Sequence, residues 1–258
     1  MICRADRLLI GGGTAITASA VAFGASALSI GIPAAAFVGA LTLGIARPAS
    51  SILYPTRTHG PREGNAVALT FDDGPDPEVT PAVLDLLAQA KVRATFFLIG
   101  RLLARAPEIG KRMIDEGHEI GNHSWEHARW RNYFTQRAWA DDIDRGEEPI
   151  RAIQPSNTRP IYRPPFGLKT PEFARAATKR DLHVIGWSVH SRDTMIADPN
   201  AVAARVLDKV RGGDIILMHD GHDLPGRHRP ACPTAVKLIL DGLAERGLRS
   251  VTVSELGI

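Results

Sequence analysis

From Ala66 to the C-terminus, short apolar runs of strand length alternate with stretches of helical spacing, and this alternation limits the fold more than any other feature. Seven runs stand out, at residues 66–71, 94–99, 118–121, 160–163, 183–189, 214–218 and 248–253. Between them, Thr80-Pro81, Thr170-Pro171 and Asp198-Pro199 each give an N-cap residue followed by proline at the first helical position. Apolar residues then recur at helical spacing, Val83, Leu84 and Leu87 in one segment and Val236, Ile239, Leu240 and Leu243 in another. Pro107 opens a further helix with Gly117 as its stop, and one more starts near Thr135, with Pro149 expected to kink or end it. Strands that alternate with helices call for a parallel sheet with helices outside. The pattern alone leaves doubly wound sheet and closed barrel both open.

Residues 8–46 differ sharply from this α/β part. They contain no charged side chain, and about 20 apolar residues are enough to cross a bilayer. The run suits one tilted span or two short spans turning near Pro33, and it is too long for an ordinary signal peptide. Arg4 and Arg7 precede it, and Arg47, Arg57 and Arg62 follow. A single span would place the remainder outside the cytoplasm, and a hairpin would keep it inside; the single anchor is the expectation. Pro48, Pro55, Gly60, Pro61 and Gly64 punctuate the next stretch. The expected organisation is therefore a membrane anchor or signal segment at 1–46, a linker at 47–65 and an α/β domain at 66–258. The two cysteines, Cys3 and Cys232, offer no disulfide framework, and no basic block suggests nucleic acid.

Ionisable residues gather where the strands end. Asp72 and Asp73 follow the first run, His123 and His127 the third, Arg163 the fourth, His190 and Asp193 the fifth, and His219, Asp220 and His222 the sixth. Active sites of parallel α/β folds form at that edge. His123 and His127, four residues apart, would share one face of a helical turn and hold one metal ion. Adjacent carboxylates point in different directions, so one of Asp72 and Asp73 can join them while the other stays free. Asp and two His leave a coordination position open, as catalytic zinc sites do. His222 and His228 are expected in a solvated loop, Trp125, Trp130 and Trp139 in packing roles, and Cys232 as a small buried residue.

Five ordered segments resemble the polysaccharide deacetylase family, also called the NodB homology domain or carbohydrate esterase family 4. They are Thr70-Phe71-Asp72-Asp73-Gly74-Pro75, His123-Ser124-Trp125-Glu126-His127, Arg163-Pro164-Pro165-Phe166-Gly167, Trp187-Ser188-Val189-His190-Ser191-Arg192-Asp193-Thr194 and Leu217-Met218-His219. The resemblance covers the chain from about Asn65 onward. It implies a distorted (β/α) barrel of about seven parallel strands. It implies that Asp73, His123 and His127 bind a divalent metal, usually zinc, with Asp72 as general base and Arg163 holding it. It implies His219 as general acid oriented by Asp193, with Phe166 and Leu217 as substrate-binding residues, Phe166 through its backbone N–H. The fourth segment departs from the family pattern. Thr194 stands where a tryptophan helps form the acetyl pocket, and His190 where aspartate is common. Phe166 replaces a frequent tyrosine.

The activity so implied is metal-dependent removal of N-acetyl groups from an N-acetylglucosamine-containing glycan, peptidoglycan first and chitin-type oligosaccharides second, with release of acetate. The enzyme would be attached to the membrane through its N-terminal segment with the catalytic domain outside the cytoplasm, or secreted. Two other readings compete: an amidohydrolase acting on a non-sugar amide, and a non-catalytic glycan-binding relative.

Overall fold

The computed structural model describes residues 2–128, 130, 135–154, 160–224 and 226–258. Its strands are β1 Thr56–Arg57, β2 Ala66–Asp72, β3 Thr95–Leu98, β4 Glu119–Asn122, β5 Ile161–Tyr162, β6 His183–Ile185, β7 Val189–His190, β8 Ile215–His219 and β9 Arg249–Ser250. Its helices are α1 Arg4–Phe23, α2 Ala27–Ala46, α3 Thr80–Ala90, α4 Gly100–Leu103, α5 Pro107–Asp115, α6 Gln136–Ile153, α7 Pro171–Lys179, α8 Pro199–Leu207 and α9 Cys232–Glu245.

All named strands pair in parallel, in the order β1-β6-β5-β4-β3-β2-β8-β7, with β9 beside the start of β2. The expected strand at 183–189 is two strands, β6, next to the edge strand β1, and β7, at the opposite end of this order. Only Gly186, Trp187 and Ser188 join them. The chain steps across the seam there, which curls the sheet into the expected distorted barrel. The Gly186 N–H donates to Arg57 O at 2.7 Å, and the Ser188 N–H to Ile215 O at 3.1 Å. A Cβ on Gly186 would lie 3.0 Å from the Thr58 methyl, so glycine lets the 56–58 segment come close. The stretch expected as a linker thus adds β1 to the sheet.

Alternation along each strand separates two apolar layers. Val67, Leu69 and Phe71 face outward, packing in one cluster with Val83, Leu84 and Leu87 of α3 and Val236 and Ile239 of α9. Ala68, Phe97, Ile161, Ile185 and Ile215 face inward and are plugged from below by Val251, Val253 and Leu256. Each fully buried side chain of this size contributes about 1.5–3 kcal/mol. Thr70 and Asp72 share the face of Ala68, so they too project into the barrel, as do Leu217 and His219 of β8.

One local expectation fails. Thr80 is inside α3 rather than its cap; its hydroxyl accepts from the Asp76 N–H at 2.8 Å and donates to Asp220 Oδ2 at 2.6 Å. Pro149 lies inside α6 without ending it, and the helix continues to Ile153. Thr135, Thr170 and Asp198 do cap their helices.

The N-terminal run forms two helices that break at Gly24–Ser26, not at Pro33, which lies inside α2. Gly24 has φ 75°, and the Ser26 hydroxyl caps α2 by accepting from the Ser29 N–H. Gly12 has the Phe37 ring against its backbone. Leu8 packs with Leu41 and Ile45 around the same cluster, so the two helices run antiparallel. Cys3 and Ala5 are buried there with Leu53, Tyr54 and Phe173, and Asp6 pairs with Arg175 at 2.7 Å. Among the described residues, α2 alone is long and apolar enough to cross a membrane.

Candidate active site

Asp73 is the first residue beyond β2, and its backbone turns into the left-handed region at φ 72°. Ser124, His127 and Phe166 do the same at φ 73°, 56° and 58°. Residues other than glycine are uncommon there, and such conformations gather at functional sites. Three of these four, Asp73, His127 and Phe166, line one cleft of about 490 Å³ at the C-terminal edge of the strands.

His123 and His127 are not on a helical turn, as their spacing had suggested. His123 directly follows β4, and His127 is brought back to it by a loop pinned where the Ser124 hydroxyl accepts from the His127 N–H at 2.9 Å. The two rings lie 4.8 Å apart. Nδ1 of His123 donates to Arg163 O at 2.7 Å, so its Nε2 is left to face the cleft. Nε2 of His123 is 3.5 Å from Asp73 Oδ1, and Nε2 of His127 is 3.2 Å from the same oxygen. That oxygen is buried with no hydrogen-bond partner among the described residues. One ligand atom from each of Asp73, His123 and His127 lies within 4.8 Å of the others. A buried orphan carboxylate oxygen facing two imidazole nitrogens fits a divalent cation. Asp223 Oδ2 lies 3.4 Å from Nδ1 of His127, the outer carboxylate that metal-ligating histidines commonly have. Burial opposes charge on Asp73, but the nearby imidazoles overcome this and hold its carboxyl far below the usual range. Burial likewise disfavours the charged form of His123, and the Asp72 and Asp73 carboxylates outweigh it and raise its pKa.

Asp72 has a different environment. Its Oδ1 accepts from Arg163 Nη1 at 2.7 Å. Arg163 is wholly buried, and its other bonds go to Thr70 Oγ1 at 2.8 Å, Gly186 O at 2.9 Å and Ile185 O at 3.2 Å. The Phe97 ring lies 4.0 Å beneath the guanidinium. Burial lowers the pKa of Arg163 and Asp72 counters that; a guanidinium stays charged regardless.

Across the cleft, His219 ends β8 opposite Asp72 in the sheet register. Asp193 Oδ1 is 2.8 Å from its Nδ1, Asp193 Oδ2 accepts its backbone N–H at 2.7 Å, and Ser191 Oγ donates to Oδ1 at 2.8 Å. Burial alone would lower the His219 pKa, but the Asp193 carboxylate reverses this and pushes it up to about 9.

All nine residues singled out from the sequence lie at or directly behind this cleft. Thr194 and His190 also line it. Trp187, Met195, Asp223 and Arg229 line it as well, without having been singled out. His222 is on the rim, outside the Asp-His-His group, and His228 pairs with Asp76 at 2.8 Å. Trp139 and Cys232 are buried in packing roles.

A profile of the family described as polysaccharide deacetylase matches residues 59–185. A peptidoglycan-N-acetylglucosamine deacetylase of Bacillus cereus is 36% identical over 205 residues, covering 76% of this chain and 90% of that protein. The chain belongs to the polysaccharide deacetylase family. A crystal structure of a peptidoglycan N-acetylglucosamine deacetylase superposes with a TM-score of 0.71 at 33% identity, covering 78% of this chain and 92% of the other. A family pseudoenzyme from Bacillus anthracis superposes at 0.69 with 26% identity, covering 78% and 68%. The deacetylase fold therefore does not by itself carry turnover; individual side chains do.

Proposed function

We propose that this protein is a metal-dependent N-deacetylase that removes acetyl groups from N-acetylglucosamine units of peptidoglycan, with chitin-type oligosaccharides as the second substrate class. The observation that carries this reading is the division of labour between neighbouring carboxylates. Asp73 faces two imidazole nitrogens, while Asp72 is locked on a buried arginine.

In this reading Asp73, His123 and His127 hold the ion, zinc foremost. When bound, a divalent metal supplies Lewis acidity that polarises the amide carbonyl and acidifies water. Asp72 takes the proton from the attacking water, its orientation set by Arg163 as a positioning residue. The Phe166 N–H donates to the oxyanion that develops on the carbonyl. His219, as imidazolium, delivers a proton to the amide nitrogen, so that the C–N bond breaks to acetate and a free amine. Asp193 positions His219 and keeps it protonated. Acid–base assistance of this kind is worth about 10²–10⁴-fold. Leu217, Trp187 and Met195 give the cleft an apolar wall for the acetyl methyl, in place of the tryptophan that Thr194 replaces.

Such a substrate lies beyond the plasma membrane, so we place the catalytic domain outside the cytoplasm, held by the N-terminal helices. Acetate release from N-acetylated glycan oligomers, with and without Zn²⁺ and beside the Asp72→Asn protein, tests the reading. Metal-dependent release that is lost in the variant supports it, and metal-independent release sinks it.

A further inference from the structure

The cleft does not end at the metal ligands. His222 on its rim also lines a second cavity of about 250 Å³. Arg101, Arg105, Leu224, Arg227 and His228 form much of its wall. Arg229, on the same loop as Arg227, faces the main cleft.

The carboxylate in this wall is already engaged. Asp76 is buried; its Oδ1 accepts from the Glu78 and Val79 N–H groups at 2.8 and 3.1 Å, and its Oδ2 faces His228 at 2.8 Å. Glu78 lies 3.6 Å from the other nitrogen of His228. The guanidiniums stay unneutralised. Arg101 donates to the carbonyl of Asp223, and Arg229 to the carbonyl of Gly221 at 2.8 Å. Among the described residues, Arg105 and Arg227 have no ion-pair partner. Four cations on one side of a cleft raise the local concentration of anions.

The acetyl-transfer chemistry does not call for this charge. The acetamide is neutral, and the amine it leaves behind is a cation that arginines repel. An anion elsewhere on the glycan accounts for it. Chitin-type chains carry no such group. In peptidoglycan, every second sugar bears a lactyl ether that ends in a carboxylate or in an acidic peptide. Guanidinium forks match carboxylates bidentately.

We propose that the arginine-lined cavity is a subsite for a carboxylate on the sugar unit next to the one deacetylated, so that the protein favours an acidic, muramyl-type glycan over a neutral one. This rests on the deacetylase reading above.

The test uses the full chain in detergent and three ligands: a muramyl-containing oligomer with free carboxylates, the same oligomer with those carboxylates amidated, and a neutral N-acetylglucosamine oligomer. Binding is measured by calorimetry and acetate release separately. The free-carboxylate oligomer is expected to bind about tenfold more tightly than its amidated form, a preference that weakens as salt rises. R105Q/R227Q should bring the ratio close to one. R246Q/R249Q, with the same charge change at the far end of α9, should keep it. Equal binding of the two oligomers by the wild type, or a preference that survives R105Q/R227Q, overturns the subsite. Selective binding without acetate release from any ligand upholds the subsite and instead counts against the deacetylase reading.

Discussion

Arg163 Nη1 lies 2.7 Å from Asp72 Oδ1, with both side chains out of solvent at the base of the cleft. The pair divides two adjacent aspartates into unlike groups. Asp72 is aimed by a guanidinium that cannot move, and Asp73 is left to the imidazoles.

Replacing Asp72 by asparagine should therefore leave metal content unchanged and lower acetate release by about 10²–10⁴-fold. Metal analysis and a turnover assay on the same sample check this. Loss of the metal would show that Asp72 is a ligand.

Arg163→Met should destabilise the fold by about 3–5 kcal/mol, because it strands a buried carboxylate. Denaturant midpoints measure the loss. Arg163→Lys should also fail to restore turnover, since one ammonium cannot reach Thr70, Asp72, Ile185 and Gly186 together.

The alkaline limb of the rate profile should belong to His219. Its raised pKa means the imidazolium is fully present below the ordinary value of 6.5 and is lost as pH climbs through about 9, in the absence of metal. A bound dication moves that limb downward. Asp193→Asn removes the carboxylate that raises the pKa, so the limb should shift to lower pH. A limb that stays in place in the variant would assign it to another group.

Asp223→Ala should weaken metal binding by about 10–100-fold without removing a ligand, through the lost contact to Nδ1 of His127. Competition with a chromogenic chelator gives the constant. Affinity should also fall with acid, starting above the usual imidazole range, because His123 holds its proton more tightly than a free histidine.

The outer ends of both N-terminal helices meet at the catalytic domain, so tags placed before Arg4 and after Ile258 should show the same accessibility in intact cells. Arg4, Arg7 and Arg47 then share a side with the domain. Charge bias favours the cytoplasm for that side, whereas the proposed substrate requires the exterior. Opposite accessibility of the two tags would support the single anchor expected from the sequence.

The strands that carry the site were legible because β2, β4 and β8 are short runs ending in polar groups. The break at Gly186–Ser188 was not, since 183–189 reads as one run and its division follows from β1 and β8 pairing with different halves. Thr80 has the residue type and position of a cap, but Asp76 and Asp220 claim its hydroxyl from elsewhere in the fold. The ligand set was readable from Asp73, His123 and His127, but not the way the histidines meet, which depends on positive backbone angles at Ser124 and His127. Asp223 and Trp187 carry no local signal, because loops bring them to the cleft. A carboxylate behind a ligand histidine is the one rule that would have led to Asp223.

The Lys169 ammonium, buried and held at 2.6 Å by Pro48 O, bears on how freely the barrel can move relative to the N-terminal helices. Together with β1 and the Asp6–Arg175 pair it clamps the exit of α2 to the barrel. A leash of 19 loose residues would let the barrel swing free of the N-terminal helices; this connection has no slack. On the proposed membrane attachment, the active site would ride at a fixed height over the bilayer and reach only glycan strands laid down close to it.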